Sequence, residues 1–185
     1  MRYFKTILCT AILTLSYAAT AEATLPLSSG VYTDFNAGAG FNGDNFGSHF
    51  NTFSQWFGAS ADLGYKVNMF FGLEVGAAHY PDAVVGNEKN TGTLGWDVAG
   101  KIIMPFDNGV ELFGKLGYTK LYQKTTHAPD PANDGNHQGG TALAGLGVSF
   151  YGSSHWALTL QGTATKKMQT IPSQYLATLG ITYIF

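Results

Sequence analysis

The sequence predicts an all-β chain, an eight-stranded antiparallel up-and-down transmembrane β-barrel, and three observations carry that expectation. Apolar residues alternate with small or polar ones over eight segments of about ten residues, the length a tilted strand needs to cross a bilayer. The links between those segments are alternately short and long. Finally, 45% of the 185 residues are hydrophobic and only 12% charged, yet mean hydropathy is +0.01, so the apolar residues are interleaved with polar ones and the 24 glycines. This excludes collagen, coiled coil and disordered polyelectrolyte. A formal net charge of −2 with no Lys/Arg-rich run removes the footprint that nucleic-acid binding needs.

Residues 1–23 read as a cleaved signal peptide, and residues 24–185 as the barrel. Arg2 and Lys5 give a positive start, Ile7 to Ala19 is apolar but too short to span a bilayer as a helix, and Ala21-Glu22-Ala23 supplies a cleavage pattern. Cleavage after Ala23 is expected, with Ala21 the alternative. It removes Cys9, the only cysteine, and Arg2, leaving eight lysines against eleven acids, a net of −3. Disulfides, cysteine–metal sites and arginine forks are then unavailable to the mature chain.

The first strand, from Val31 to Phe41, sets Val, Thr, Phe and Ala at odd positions against Tyr, Asp, Asn and Gly at even ones. From Phe53 to Val67 the odd set is again apolar. Phe71, Leu73, Val75 and Ala77 oppose Gly72, Glu74 and Gly76; Leu94, Trp96, Val98, Ile102 and Met104 oppose Gly95, Asp97 and Lys101. Val110, Leu112, Leu116 and Tyr118 mark the fifth apolar face, and Ala142 to Phe150 the sixth. Trp156, Leu158 and Leu160 mark the seventh, and Tyr175 to Phe185 the last. Short links are expected at Lys66 to Met69, Pro105 to Gly109 and Gly152 to His155. Long polar links are expected at Asn42 to Asn51, Pro81 to Gly92, Thr125 to Gly140 and Lys166 to Ser173.

A soluble barrel alternates too, but its outer face carries many Lys and Glu. Here the non-apolar face is Gly, Ser, Thr and Asn, which suits a narrow lumen and turns the apolar face to hydrocarbon. Aromatic residues mark both ends of the strands: Phe41, Phe53, Trp96, Tyr118 and Tyr175 toward the long links, and Tyr65, Phe71, Trp156, Tyr183 and Phe185 toward the short ones.

Thr178, Gly180, Tyr183 and the terminal Phe185 resemble the C-terminal assembly signal of bacterial outer-membrane proteins. The stretch GWDVAGKIIMPFDNGVELFGKLGYTKLY, residues 95–122, is similar to the fourth and fifth strands of the OmpA transmembrane domain and its small barrel relatives. The resemblance is to that OmpA-like barrel and not to the periplasmic peptidoglycan-binding domain. It implies insertion by the outer-membrane assembly machinery after periplasmic chaperoning. An even strand count with three short links places both termini on the short-link side, which in such barrels is the periplasm.

Inward charges are the main candidate site. The short links bring Asp62 near Glu74 and Lys101 near Lys115, giving a lumen ion cluster of Asp62, Glu74, Lys101 and Lys115 with Asp34 and Glu111 nearby. Such a cluster blocks the lumen, either as a structural filling or as a gate that opens when pairs exchange. Lys120, Lys124, Lys166 and Lys167, near the long links, are candidate contacts for lipopolysaccharide phosphates, with snorkelling as the plainer alternative. His79 is read as an interfacial side chain. His127, Asp130, Asp134 and His137 read as an ordinary loop, and no metal or other cofactor is expected. The expected role is structural and surface-interacting, with lipid and lipopolysaccharide as partners and any surface ligand unnamed; the alternatives are a narrow ion channel and a lipid A-modifying enzyme.

Overall fold

The computed structural model describes residues 29–43, 56–81, 83–85, 88–106, 109–127, 135–168 and 171–185. The signal segment and its cleavage site, residues 44–51 of the first long link, Phe53, and Asp130 and Asp134 lie outside the described residues. Nine strands occur among the described residues: β1 Gly30–Asn42, β2 Phe57–Lys66, β3 Phe71–Tyr80, β4 Ala83–Val85, β5 Glu88–Phe106, β6 Val110–His127, β7 Gly135–Tyr151, β8 Trp156–Thr165 and β9 Gln174–Ile184. All neighbouring pairs are antiparallel, β3 pairs with β5, and β1 pairs with β9 from Tyr32↔Ile184 to Asn42↔Gln174. The sheet therefore closes into an eight-stranded barrel with no free edge through the wall, and β4 is a short addition that pairs only with the upper part of β5.

The alternation sorts the side chains as the sequence predicts. Phe35 is 63% exposed on the outer wall and Leu146 74%, while Tyr32, Asp34 and Glu74 are each 1% exposed inside. A wall of exposed Leu, Val, Phe and Trp of this extent is far beyond what water tolerates on a soluble domain, and hydrocarbon is the solvent that suits it. At one rim Trp156, Tyr183 and Phe185 form an aromatic chain, with ring centroids 4.6 and 5.0 Å apart.

Two short turns use one device. Asn68 Oδ1 accepts the N–H groups of Phe70 and Phe71 at 2.8 and 2.9 Å, and Ser153 Oγ accepts those of His155 and Trp156 at 3.2 and 3.1 Å. At the β5–β6 turn Gly109 takes φ +73°, a left-handed conformation that glycine adopts without strain.

Two of the long links are shorter than expected. Between Pro81 and Gly92 the chain forms β4 and starts β5 at Glu88, and between Thr125 and Gly140 β6 continues to His127 and β7 begins at Gly135. Pairs such as Lys89↔Thr126 and Lys124↔Asn136 carry the sheet beyond the apolar band. The alternation gave no signal there because both faces of these extensions are polar.

Candidate functional site

The lumen is filled in layers. In the half nearer the short turns, register sets like charges side by side: Lys101↔Lys115 across β5–β6, and Asp34↔Asp62 across β1–β2. Neighbours of like sign repel, so each is held by a partner from another strand. Lys101 Nζ lies 3.0 Å from Glu74 Oε1 and 3.8 Å from Asp34 Oδ2. Lys115 Nζ lies 2.5 Å from Glu74 Oε2 and 3.5 Å from Asp62 Oδ1. Glu74 thus bridges both lysines, and Tyr32 donates its hydroxyl to Glu74 Oε1 at 2.6 Å. Lys101 also sits over the rings of Phe113 and Tyr32 at 4.0 and 4.9 Å.

Glu111 does not join this group. It pairs with Lys66, Nζ to Oε1 2.5 Å, and Tyr151 donates to Glu111 Oε2 at 2.6 Å while accepting from Lys66 at 2.7 Å. Lys66 closes the even, inward set of the second segment and opens the short link, and it is not among the expected lumen charges. It is the last residue of β2, 4% exposed and pointing inward. Its even position in an inward-even strand was the available signal. The barrel holds the same Lys–Glu–Tyr unit twice, as Lys101–Glu74–Tyr32 and Lys66–Glu111–Tyr151. Asp97 also points inward and is buried.

Inner-wall glycines make room for these groups. A Cβ on Gly64 would lie 2.1 Å from Tyr32 Cζ, and one on Gly76 would lie 2.2 Å from Asp62 Oδ1. The tyrosine and aspartate therefore occupy space that any larger residue would take. Elsewhere in the lumen hydroxyls and amides bond to one another: Ser149 with Thr159 at 2.9 Å, Thr159 with Thr182 at 2.7 Å, and Gln123 to Thr93 at 3.0 Å.

Toward the long links an apolar cluster joins the buried polar side chains Thr93, Gln123 and Gln174. Ile171, expected in a polar loop, is fully buried with Tyr80, Leu121, Leu176 and Ala78, and Met168 packs against them. Thr141 Oγ1 donates to Lys166 O at 2.9 Å, Gly43 N donates to Ser173 O at 2.8 Å, and Thr165 Oγ1 accepts from Gln174 N at 3.1 Å. These bonds fold the described part of the last link into the barrel mouth.

Outside, Lys120, Lys124, Lys166 and Lys167 are exposed at the same end, and Lys120 Nζ lies 5.2 Å from the Tyr122 ring centroid. His79 points outward near the end of β3, and His137 lies on β7. The assembly-signal residues Thr178, Gly180 and Tyr183 belong to β9, which Phe185 follows.

No curated protein sequence matches the chain. Among solved structures, it is similar to the N-terminal β-barrel domain of Pseudomonas aeruginosa OprF, at 13% identity and a TM-score of 0.60, covering 85% of this chain and 99% of that one. Neisserial surface protein A aligns at 12% identity and TM-score 0.62, over 85% and 97% of the two chains. Ail of Yersinia pestis, solved in complex with the heparin analogue sucrose octasulfate, aligns at 13% and 0.58, over 87% and 100%. These likenesses are of fold, and all three are small barrels like this one. The outer membrane protein beta-barrel domain family matches residues 7–185, and the chain belongs to that family, as an OmpA-like small barrel of the outer membrane.

Proposed function

We propose that this barrel serves as a structural and surface-interaction protein, with both termini in the periplasm and the longer links outside. The observation that carries the reading is the filling of the lumen. An ion-paired layer around Glu74 and an apolar layer around Ile171 lie in series, and a solute would have to displace both. Eight strands leave room for little more than side chains. The surface role is supported by the rigid wall, which presents the β4–β5 and β6–β7 extensions beyond the apolar band. Ail, a barrel of similar fold, is solved in complex with the heparin analogue sucrose octasulfate, a precedent for ligand binding on such a scaffold.

A narrow ion channel is the second reading, favoured by one feature. Lys101 and Lys115 each have a second acid, Asp34 and Asp62, to which they can turn if Glu74 lets go. Planar-bilayer conductance of the refolded mature protein tests between the two. The structural reading expects no resolved channel events, and steady single-channel currents overturn it. A lipid A mass profile with and without the gene tests the enzymatic alternative in the same cells; an unchanged profile is expected.

A further inference from the structure

Rows of paired residues run around the inside of the barrel, and their charges do not balance. One row carries the three buried lysines, as Lys66↔Gly72↔Lys101↔Lys115. Further toward the long links a second row carries three carboxylates and no lysine, as Asp34↔Asp62↔Gly76↔Asp97. With Glu74 and Glu111, five carboxylates and three ammonium groups are buried among the described residues, an excess of two negative charges. The lysines meet the glutamates first. Lys66 is taken by Glu111, and Lys101 and Lys115 reach Asp34 and Asp62 only at 3.8 and 3.5 Å, their shorter contacts going to Glu74. Asp97 belongs to none of the ion pairs among the described residues.

Hydrogen bonding shows the same shortage. Asp34 Oδ1, Asp62 Oδ2, Asp97 Oδ1 and Asn36 Oδ1 are buried without a partner, whereas no buried side-chain nitrogen is left unpartnered among the described residues. Asn36, 4% exposed, follows Asp34 along the inner face of β1, and its amide nitrogen is spent on Ser60 Oγ at 3.4 Å. Acceptors therefore collect here with neither donors nor cations to meet them.

Gly76 makes neighbours of two aspartates. It stands between Asp62 and Asp97 without a side chain, and Asp62 Oδ1 lies 2.2 Å from where its Cβ would be. Two strand spacings, about 10 Å, separate the aspartate backbones, and side chains that lean over the glycine can hold one cation between them with bonds of about 2.4 Å. No group of three or more His, Cys, Asp or Glu side chains suited to a metal occurs among the described residues, which argues against a zinc-type site. Two carboxylates completed by amide, hydroxyl and water oxygens suit a hard ion, and a doubly charged one cancels the excess. Along β3 the inward positions run Glu74, Gly76, Ala78 and Tyr80, so this row lies between the ion-paired layer and the Ile171 cluster.

We propose that Asp62 and Asp97, with Asp34 and the Asn36 amide oxygen beside them, hold one calcium ion in the lumen, taken up as the barrel folds. The ion ties β2 to β5 across the gap that Gly76 leaves.

The test refolds the mature barrel into nonionic detergent with CaCl2 or with EDTA, dialyses away the excess and reads metal content by elemental mass spectrometry. About one calcium per chain is expected to stay with the wild type refolded in CaCl2, and at least about tenfold less with Asp97→Asn. The melting midpoint, read by heat-modifiable gel migration, should show a crossing that a merely packed aspartate would not give. In EDTA Asp97→Asn melts above the wild type, because an unpaired buried carboxylate is gone. In CaCl2 the wild type rises past the variant, whose own midpoint stays where it was. Equal calcium in the two proteins means that surface carboxylates hold it, and overturns the site. An unmoved wild-type midpoint with no retained calcium overturns it as well, with protons neutralising the row. So does a midpoint shift that NaCl reproduces at the same ionic strength, which is screening alone. Asp97→Ser, with the same expectations, takes the place of Asp97→Asn if the amide variant fails to refold.

Discussion

Removing the Glu74 carboxylate tests the ion-paired layer most directly. In Glu74→Ala the two lysines lose their shorter contacts, 3.0 and 2.5 Å, and keep Asp34 at 3.8 Å and Asp62 at 3.5 Å. Tyr32 loses the acceptor of its 2.6 Å hydrogen bond. Breaking a buried pair typically costs about 3–5 kcal/mol, and the surviving acids argue for the lower end, so a loss of about 3 kcal/mol is expected. Glu74→Gln keeps an oxygen for Tyr32 and most of the volume, and should lose about 2 kcal/mol. Glu74→Gln/Lys101→Met should lose more than Glu74→Gln alone, because Lys101 is the cation that faces Asp34, at 3.8 Å, and its removal leaves that buried carboxylate uncompensated. Equilibrium urea unfolding in lipid vesicles, followed by tryptophan fluorescence, measures all three. If Glu74→Ala falls within about 0.5 kcal/mol of the wild type, the lysines are hydrated and the layer is no seal.

Further outcomes follow from the same contacts. Gly64→Ala should cost about 2 kcal/mol, because its Cβ would displace the Tyr32 ring, whereas Gly162→Ala, with nothing within 4 Å, should change unfolding midpoints little. Ile171→Ala should leave conductance at the wild-type level while the ion-paired layer stands. Ile171→Ala/Glu74→Ala opens both layers and should show channel events in planar bilayers if the two act in series. Phe185→Ala removes the end of the aromatic chain with Tyr183 and Trp156, and should lower assembly into the outer membrane severalfold while refolding into detergent proceeds as before.

Much of the wall was legible because period-two alternation is a local property. Phe35, Leu73, Trp96 and Leu146 face outward and Asp34, Asp62, Glu74 and Lys101 inward on the strength of their neighbours alone. Tight links also fix local register, so Lys101 could be set near Lys115 before any coordinates. The polar extensions of β5, β6 and β7 were illegible for the same reason: where water meets both faces, selection for alternation stops. Lys66 has inward parity in its segment but is not counted among the lumen charges, because a lysine beside a turn ordinarily belongs to solvent.

The sequence by itself determined the class of structure, the solvent of each face and the charges available inside. Only the closed ring decided which charges meet. Closure brings Lys66 onto Glu111, 45 residues away, and Tyr32 onto Glu74, 42 residues away. Their distances depend on strand tilt and on which glycines leave space across the lumen, and neither is encoded in a single strand. Ile171 likewise becomes a stopper because the last link finds an apolar mouth built by Tyr80, Leu121 and Leu176 from three separate strands. Burial there is a property of the assembled barrel, and local polarity gave no sign of it.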